Sequence, residues 1–178
     1  CHLYGPSGIG KSRLASVFLG GARAEGALVL QTHCHQDEHI PFAALDGAVD
    51  ALVRAVAGRF PVHPGTPLYE DLPSLARVFP TVAVLASGPA SPAAPDPVSD
   101  RREVARVLAA LLRHVGRETP LILAIDDIQW ADADSLTLLA QVCADIRAPM
   151  LLLLTGREGA DPGLGPLREV FPGGQWCA

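Results

Sequence analysis

Eight residues near the start of the chain, Gly5 to Ser12 (GPSGIGKS), constrain its fold more than any other stretch. They follow a short apolar run, CHLY, and lead into a segment from Lys11 to about Ala24. There Leu14, Val17 and Phe18 recur at helical spacing, so the order is strand, loop, helix. Gly5, Gly8 and Gly10 can take positive φ, which lets main-chain N–H groups converge on an anion. The helix behind them turns the positive end of its dipole to the same point. Lys11 is the only lysine among fourteen basic residues. A compact ammonium reaches the β- and γ-phosphates as a point charge, where a planar guanidinium would not fit in the same way. Gly5, Pro6, Ser7, Gly8, Ile9, Gly10, Lys11 and Ser12 therefore read as a phosphate-binding loop, with the Ser12 hydroxyl placed for Mg²⁺.

A loop of this kind belongs in a sheet covered by helices, and the remaining sequence supplies one. Residues 27–33 (ALVLQTH) form a second strand pattern, followed by an irregular stretch to Pro41. From Phe42 to Val56, Leu45, Val49, Leu52 and Val56 mark an amphipathic helix. Proline and glycine break the pattern between Gly58 and Pro67, and the proline-rich residues 88–99 read as an exposed loop. Asp100 and Glu103 then suggest a capping box for a helix through Arg117, with Val104, Val107, Leu108, Leu111, Leu112 and Val115 buried. Arg102, Arg106, Arg113 and Arg117 lie on its other side and read as a solvated face. Residues 120–127 (PLILAIDD) lack alternation, as a parallel strand buried on both faces should. A helix over Ser135–Ile146, a strand ending at Thr155, a short helix at Leu167–Phe171 and a strand opening at QWCA complete an alternating α/β order.

The second chemical feature is the acidic pair ending the 120–127 strand. Ligands bind at the C-terminal edge of a parallel sheet, and a magnesium nucleotide needs a carboxylate near the metal. Asp126 fits that role, and Asp127 can orient the attacking water or take its proton. An aspartate where a strand gives way to a loop also fits a plain turn. His33, Cys34, His35 and His39 have the composition of a metal site, but strand alternation turns Cys34 away from His33 and His35, so the four do not converge. Ser7 has no accompanying histidine and acid motif that would make it a nucleophile.

Bulk properties narrow the function. The 178 residues fit one domain, and a net charge of −5 argues against a nucleic-acid surface. No run of eighteen apolar residues suggests a membrane span. Four cysteines without a C-x-x-C pattern fit reduced thiols and a cytoplasmic setting.

With both motifs in hand, the chain resembles the STAND class of AAA+-related P-loop ATPases, found in large LuxR-type regulators and in bacterial serine/threonine kinase or adenylate cyclase fusions. The stretch LILAIDDIQWADADSLTLL carries the likeness through Asp126, Asp127, Gln129, Trp130, Ala131, Asp132, Ser135 and Leu136, supported by Glu38, Pro41, Phe42 and Leu45. The resemblance implies a three-layer α/β fold with a mainly parallel sheet in strand order 5-1-4-3-2. It makes Arg157, with Thr155 just before it, the γ-phosphate sensor at the end of the LLLLTGRE strand. Trp130 reads either as a nucleotide contact or as packing. The resemblance also implies ATP as ligand, a covalently linked effector domain, and self-association that depends on nucleotide. The whole chain, residues 1–178, then reads as one ATPase core excerpted from a larger protein and truncated at both ends, short of the adenine-contacting and lid segments.

A guanine-specific N-K-x-D motif needs a second lysine, which the chain lacks. Three functions stay open on the sequence: a slow ATPase acting as a signalling switch, a turnover enzyme such as a motor or small-molecule kinase, and a module that binds nucleotide without hydrolysis.

Overall fold

The rotation of the first helix is set by one hydroxyl. In the computed structural model, α1 (Lys11–Ala24) starts directly from the glycine loop, and Ser12 faces the sheet. Residues three and seven positions further on, Ala15 and Leu19, must then face it too, and they are the buried ones. Leu14, Val17 and Phe18, whose spacing marks the helix in the sequence, lie on its exposed side. The structure describes residues 1–36, 41–86, 97–159, 163–172 and 176–177, with the backbone alone at 97–100 and 176–177.

Among the described residues five strands form the sheet: β1 (His2–Gly5), β2 (Leu28–His33), β3 (Leu121–Asp126), β4 (Met150–Arg157) and β5 (Trp176–Cys177). Their order is β2-β3-β4-β1-β5 and every pairing is parallel. This is the 5-1-4-3-2 order expected from the resemblance, read from the other edge. Alternation along β3 divides the core. Leu121, Leu123 and Ile125 enter a large cluster with α2 (Ala43–Gly58), α4 (Pro97–Gly116) and α5 (Ala133–Asp145). Ile122 and Ala124 enter a smaller one with Ala15, Leu19, Val29 and Leu153. Helices therefore cover both faces, as the branched, non-alternating sequence of β3 requires.

One helix has no counterpart in the sequence reading. Residues Pro67–Ala76 form α3, ahead of a 3-10 turn at Pro80–Leu85. Leu68, Leu72 and Leu75 do recur at steps of four and three, but Pro73 sits inside the helix and Pro67 at its start. Thr66 caps it, its side-chain oxygen accepting from the Tyr69 N–H at 3.3 Å, and Pro67 stands where its missing N–H costs nothing. α3 also alters the arginine row on α4. Arg106 binds Asp71 of α3 at 2.8 Å as well as Glu103, so that position is not simply solvated.

The start of α4 is a second correction. The expected loop over 88–99 lies outside the described residues as far as 96, and residues 97–99 are already helical. Pro97 suits a first helical turn, so Asp100 stands within the helix rather than capping it, and Glu103 binds Arg106 instead. Arg106 holds the Glu103 carboxyl below the ordinary carboxylate range. The 165–170 segment is helical as α6 (Gly165–Val170).

Asp132 joins two elements distant in sequence. It caps α5, accepting from the Ser135 N–H at 2.7 Å and from the Ser135 hydroxyl. Its Oδ1 also accepts from the Phe42 N–H at 3.2 Å, ahead of α2. Phe42 has a φ of 68°, unfavourable for a bulky residue, and its ring packs on Phe79 with centroids 6.2 Å apart. The carboxylate thus helps hold a strained backbone in place. Replacing Asp132 with Ala removes the cap and this anchor together and is expected to lower stability by roughly 1–3 kcal/mol in denaturant unfolding. Thiol chemistry checks the core independently. Cys34 and Cys143 are buried, and burial pushes the Cys143 thiol up to about 12. Maleimide is expected to modify exposed Cys1 in the native protein and to reach Cys34 and Cys143 only on unfolding, read by peptide mass.

Candidate functional site

The C-terminal ends of β1, β3 and β4 lie side by side, and the glycine loop leaves the sheet there. Gly5 pairs with Arg157 across β1 and β4, and its carbonyl accepts from the Glu158 N–H at 3.2 Å. Gly8 and Gly10 have φ of 81° and 100°, and a Cβ at either would meet no atom within 4 Å. The loop is therefore both left-handed and open above these glycines. Gly10 occupies the N-cap position of α1, and no side chain caps that helix, so its leading N–H groups are not spent on a side-chain acceptor. Lys11 folds over the loop, its Nζ donating to the carbonyls of Gly5 at 3.0 Å and Pro6 at 2.9 Å.

Strand alternation carries Asp126 to the same place. It follows Ile122 and Ala124 on the α1 side of β3, so its carboxylate meets the first turn of α1. Ser12 Oγ donates to Asp126 Oδ1 at 3.0 Å, and the Thr155 hydroxyl of β4 donates to the same oxygen. His33, paired with Asp126 in the β2–β3 register, brings Nδ1 to 3.4 Å from Asp126 Oδ2. A hydroxyl and a carboxylate side by side are hard oxygen donors, the set that Mg²⁺ takes when phosphate and water complete its shell.

Asp127 sits one residue later, where the strand turns. Its φ of 57° and ψ of 47° are left-handed, a conformation aspartate tolerates better than most residues. Three contacts hold it. Its N–H donates to Thr155 Oγ1 at 3.1 Å, its Oδ1 accepts from Gln129 Nε2 at 2.9 Å, and His33 Nε2 lies 3.9 Å from Oδ2. Gln129 in turn accepts the Arg157 N–H at 3.2 Å. Arg157 is the last residue of β4 rather than a residue beyond the strand, and its guanidinium stands 5.8 Å from the Trp130 ring centroid. Trp130 is half-buried against the large cluster, which favours the packing reading and makes its ring a platform for Arg157. Gly156 allows this close fit, since a Cβ there would lie 2.9 Å from His2 Nε2 and 3.3 Å from Ile128 Cγ2.

Two residues of this network carry more than their sequence context suggests. Thr155 is a lone hydroxyl after the apolar run of β4, and Gln129 is a polar side chain within a turn. Their bonds depend on the β3–β4 register, which neither motif states. The histidine cluster behaves as alternation requires: Cys34 is buried in the large cluster, and the His33 and His35 rings meet at 4.7 Å. His39 and Glu38 lie outside the described residues. Among the described residues no group of three or more His, Cys, Asp or Glu side chains could hold a metal ion, and no helix is long and apolar enough to cross a membrane.

A comparison with curated proteins finds no match to this sequence. The family model for the AAA ATPase domain matches residues 1–154, a span that includes the glycine loop, both aspartates and most of the parallel sheet. That match covers well over half of the chain, and with the strand order and the loop geometry it leads to one conclusion: the chain belongs to the AAA ATPase domain family, whose members are nucleotide-binding modules.

Proposed function

We propose that this chain binds Mg·ATP between the Gly5–Ser12 loop and Asp126, hydrolyses it slowly, and serves as the nucleotide-operated switch of a larger signalling protein. The observation that carries the reading is the convergence of Ser12 Oγ and Thr155 Oγ1 on one oxygen of Asp126, beside the loop that holds Lys11.

In this reading the N–H groups of Gly8, Gly10, Lys11 and Ser12 cradle the phosphates. Lys11 gives up its two carbonyl acceptors for the β- and γ-phosphate oxygens, which as anions attract it more strongly. Ser12 and Asp126 would hold Mg²⁺, which would supply positive charge against the phosphates. Asp127, steadied by Gln129 and by Thr155, orients a water on the γ-phosphorus and takes its proton. The water oxygen bonds to phosphorus as the bond to the ADP oxygen breaks, giving ADP and phosphate. Arg157 stabilises charge on the γ-phosphoryl group, with the Trp130 ring limiting its range.

The switch assignment draws on the DDIQWAD resemblance and on the Gln129 bridge. That side chain bonds both Asp127 and the Arg157 backbone, so a change at the γ-phosphate side of the site is felt at the end of β4. An effector domain joined to this chain, and association with a second copy, are the partners this reading calls for.

Measuring ATP binding and turnover in two variants tests it. Lys11→Ala is expected to weaken Mg·ATP binding roughly ten- to a hundredfold, the loss of a charged hydrogen-bonding group. Asp127→Asn keeps a residue that accepts left-handed φ, so it is expected to bind ATP normally and to hydrolyse it about a hundredfold or more slowly. Lys11→Ala binding as tightly as the parent chain would sink the site assignment. Unchanged turnover in Asp127→Asn would remove Asp127 from the chemistry.

A further inference from the structure

A second cleft lies away from the nucleotide edge, between α3, α4 and the connection that precedes α3. Its volume is about 440 Å³, within the range of small-molecule sites. Residues 106, 110, 113 and 117 fall on one face of the α4 region at steps of four, three and four. Three of them are arginines, and all line the cleft. Arg113 and Arg117 stand near the start of β3, hence at the N-terminal edge of the sheet, opposite the edge where the glycine loop, Asp126 and Arg157 meet.

The cleft holds positive charge that the protein itself leaves unspent. Among the described residues Asp71 is the only carboxylate lining it, and Asp71 is already bound to Arg106 at 2.8 Å. Arg113 donates through Nε to the Ile146 carbonyl at 3.0 Å and through Nη2 to the Asp145 carbonyl at 2.7 Å. Those bonds fix its guanidinium against the end of α5 and leave three of its five N–H donors unused. Arg117 is exposed and has no hydrogen-bond or ion-pair partner among the described residues, and neither has the side chain of His63 across the cleft. His114 is held beside them, with Nε2 3.0 Å from the Phe60 carbonyl. In a chain of net charge −5, two arginines without carboxylate partners at one cleft are a local reversal of sign. The rest of the wall is Thr66, whose hydroxyl is spent on the His63 carbonyl and the Tyr69 N–H, and the apolar side chains of Val62, Pro67, Leu68 and Ala110.

We propose that this cleft binds a small organic anion, an oxyanion head on an apolar body, at a site separate from the nucleotide. Arg113, pre-positioned by its two carbonyls, and Arg117 grip a planar carboxylate or a phosphate ester through paired N–H donors. His63 and His114 flank the head, and Val62, Pro67 and Leu68 receive the body. The inference does not depend on ATP hydrolysis or on a signalling role.

The test is an amide-resolved NMR titration of the chain with phenyl phosphate, benzoate and benzyl alcohol, repeated in Lys11→Ala so that phosphate binding at the glycine loop is separated. Saturable shifts at His63, Leu68, Ala110 and Arg117 are expected with one or both anions and not with the alcohol, in the parent chain and in Lys11→Ala alike. The tighter of the two anions identifies the head group. Arg117→Glu and His63→Glu, both at exposed positions, are expected to weaken binding about tenfold or more, and Arg117→Lys to retain most of it. No saturable shift with either anion, equal shifts with the alcohol, or undiminished binding in both glutamate variants would overturn the proposal.

Discussion

One oxygen of Asp126 ties together the three elements that make the site. Ser12 from α1 and Thr155 from β4 both donate to it, so the first turn of α1, the end of β3 and the end of β4 share an acceptor. The consequences extend through the fold. Ser12 facing β3 fixes the rotation of α1, which buries Ala15 and Leu19 and leaves Leu14, Val17 and Phe18 outside. Thr155 on Asp126 fixes the β3–β4 register at the sheet edge, and that register places Gln129 between Asp127 and Arg157. A single carboxylate, buried enough to need partners and exposed enough to meet a ligand, therefore links the packing of the core to the geometry of the site.

The parallel sheet explains why such a node forms where it does. With β1 between β4 and β5, the chain leaves β1 beside the end of β4, with β3 the next strand over, and the glycine loop turns at that edge. The opposite edge of the sheet, where α4 delivers Arg113 and Arg117, has its own charge and its own cleft. The proposed nucleotide site and the proposed anion site thus occupy opposite ends of one scaffold.

Much of this was legible in the sequence because the relevant signals are local. The glycine loop, the branched run of β3 and the leucine spacing of α2 each state their element within a dozen residues. The 5-1-4-3-2 order came from the family resemblance rather than from the residues alone. What the sequence did not disclose depends on contacts across the fold. α3 was hidden by Pro67 and Pro73, since propensity counts a proline against a helix even where capping by Thr66 makes its first-turn position harmless. The arginine row on α4 is partly an interface for the same reason, because Asp71 reaches Arg106 from α3. Thr155, Gln129 and His33 acquire their places from strand register, which no single motif encodes.

In the proposed reading Asp126 and Ser12 form the metal-binding half of a nucleotide site. The most direct measurement is the affinity for ATP with and without Mg²⁺, in the parent chain and in Asp126→Asn. Mg²⁺ is expected to tighten binding in the parent chain about tenfold or more, while in Asp126→Asn the affinity without metal is kept and the gain from Mg²⁺ is lost. A variant in which Mg²⁺ still tightens ATP binding as much as in the parent chain would contradict that reading.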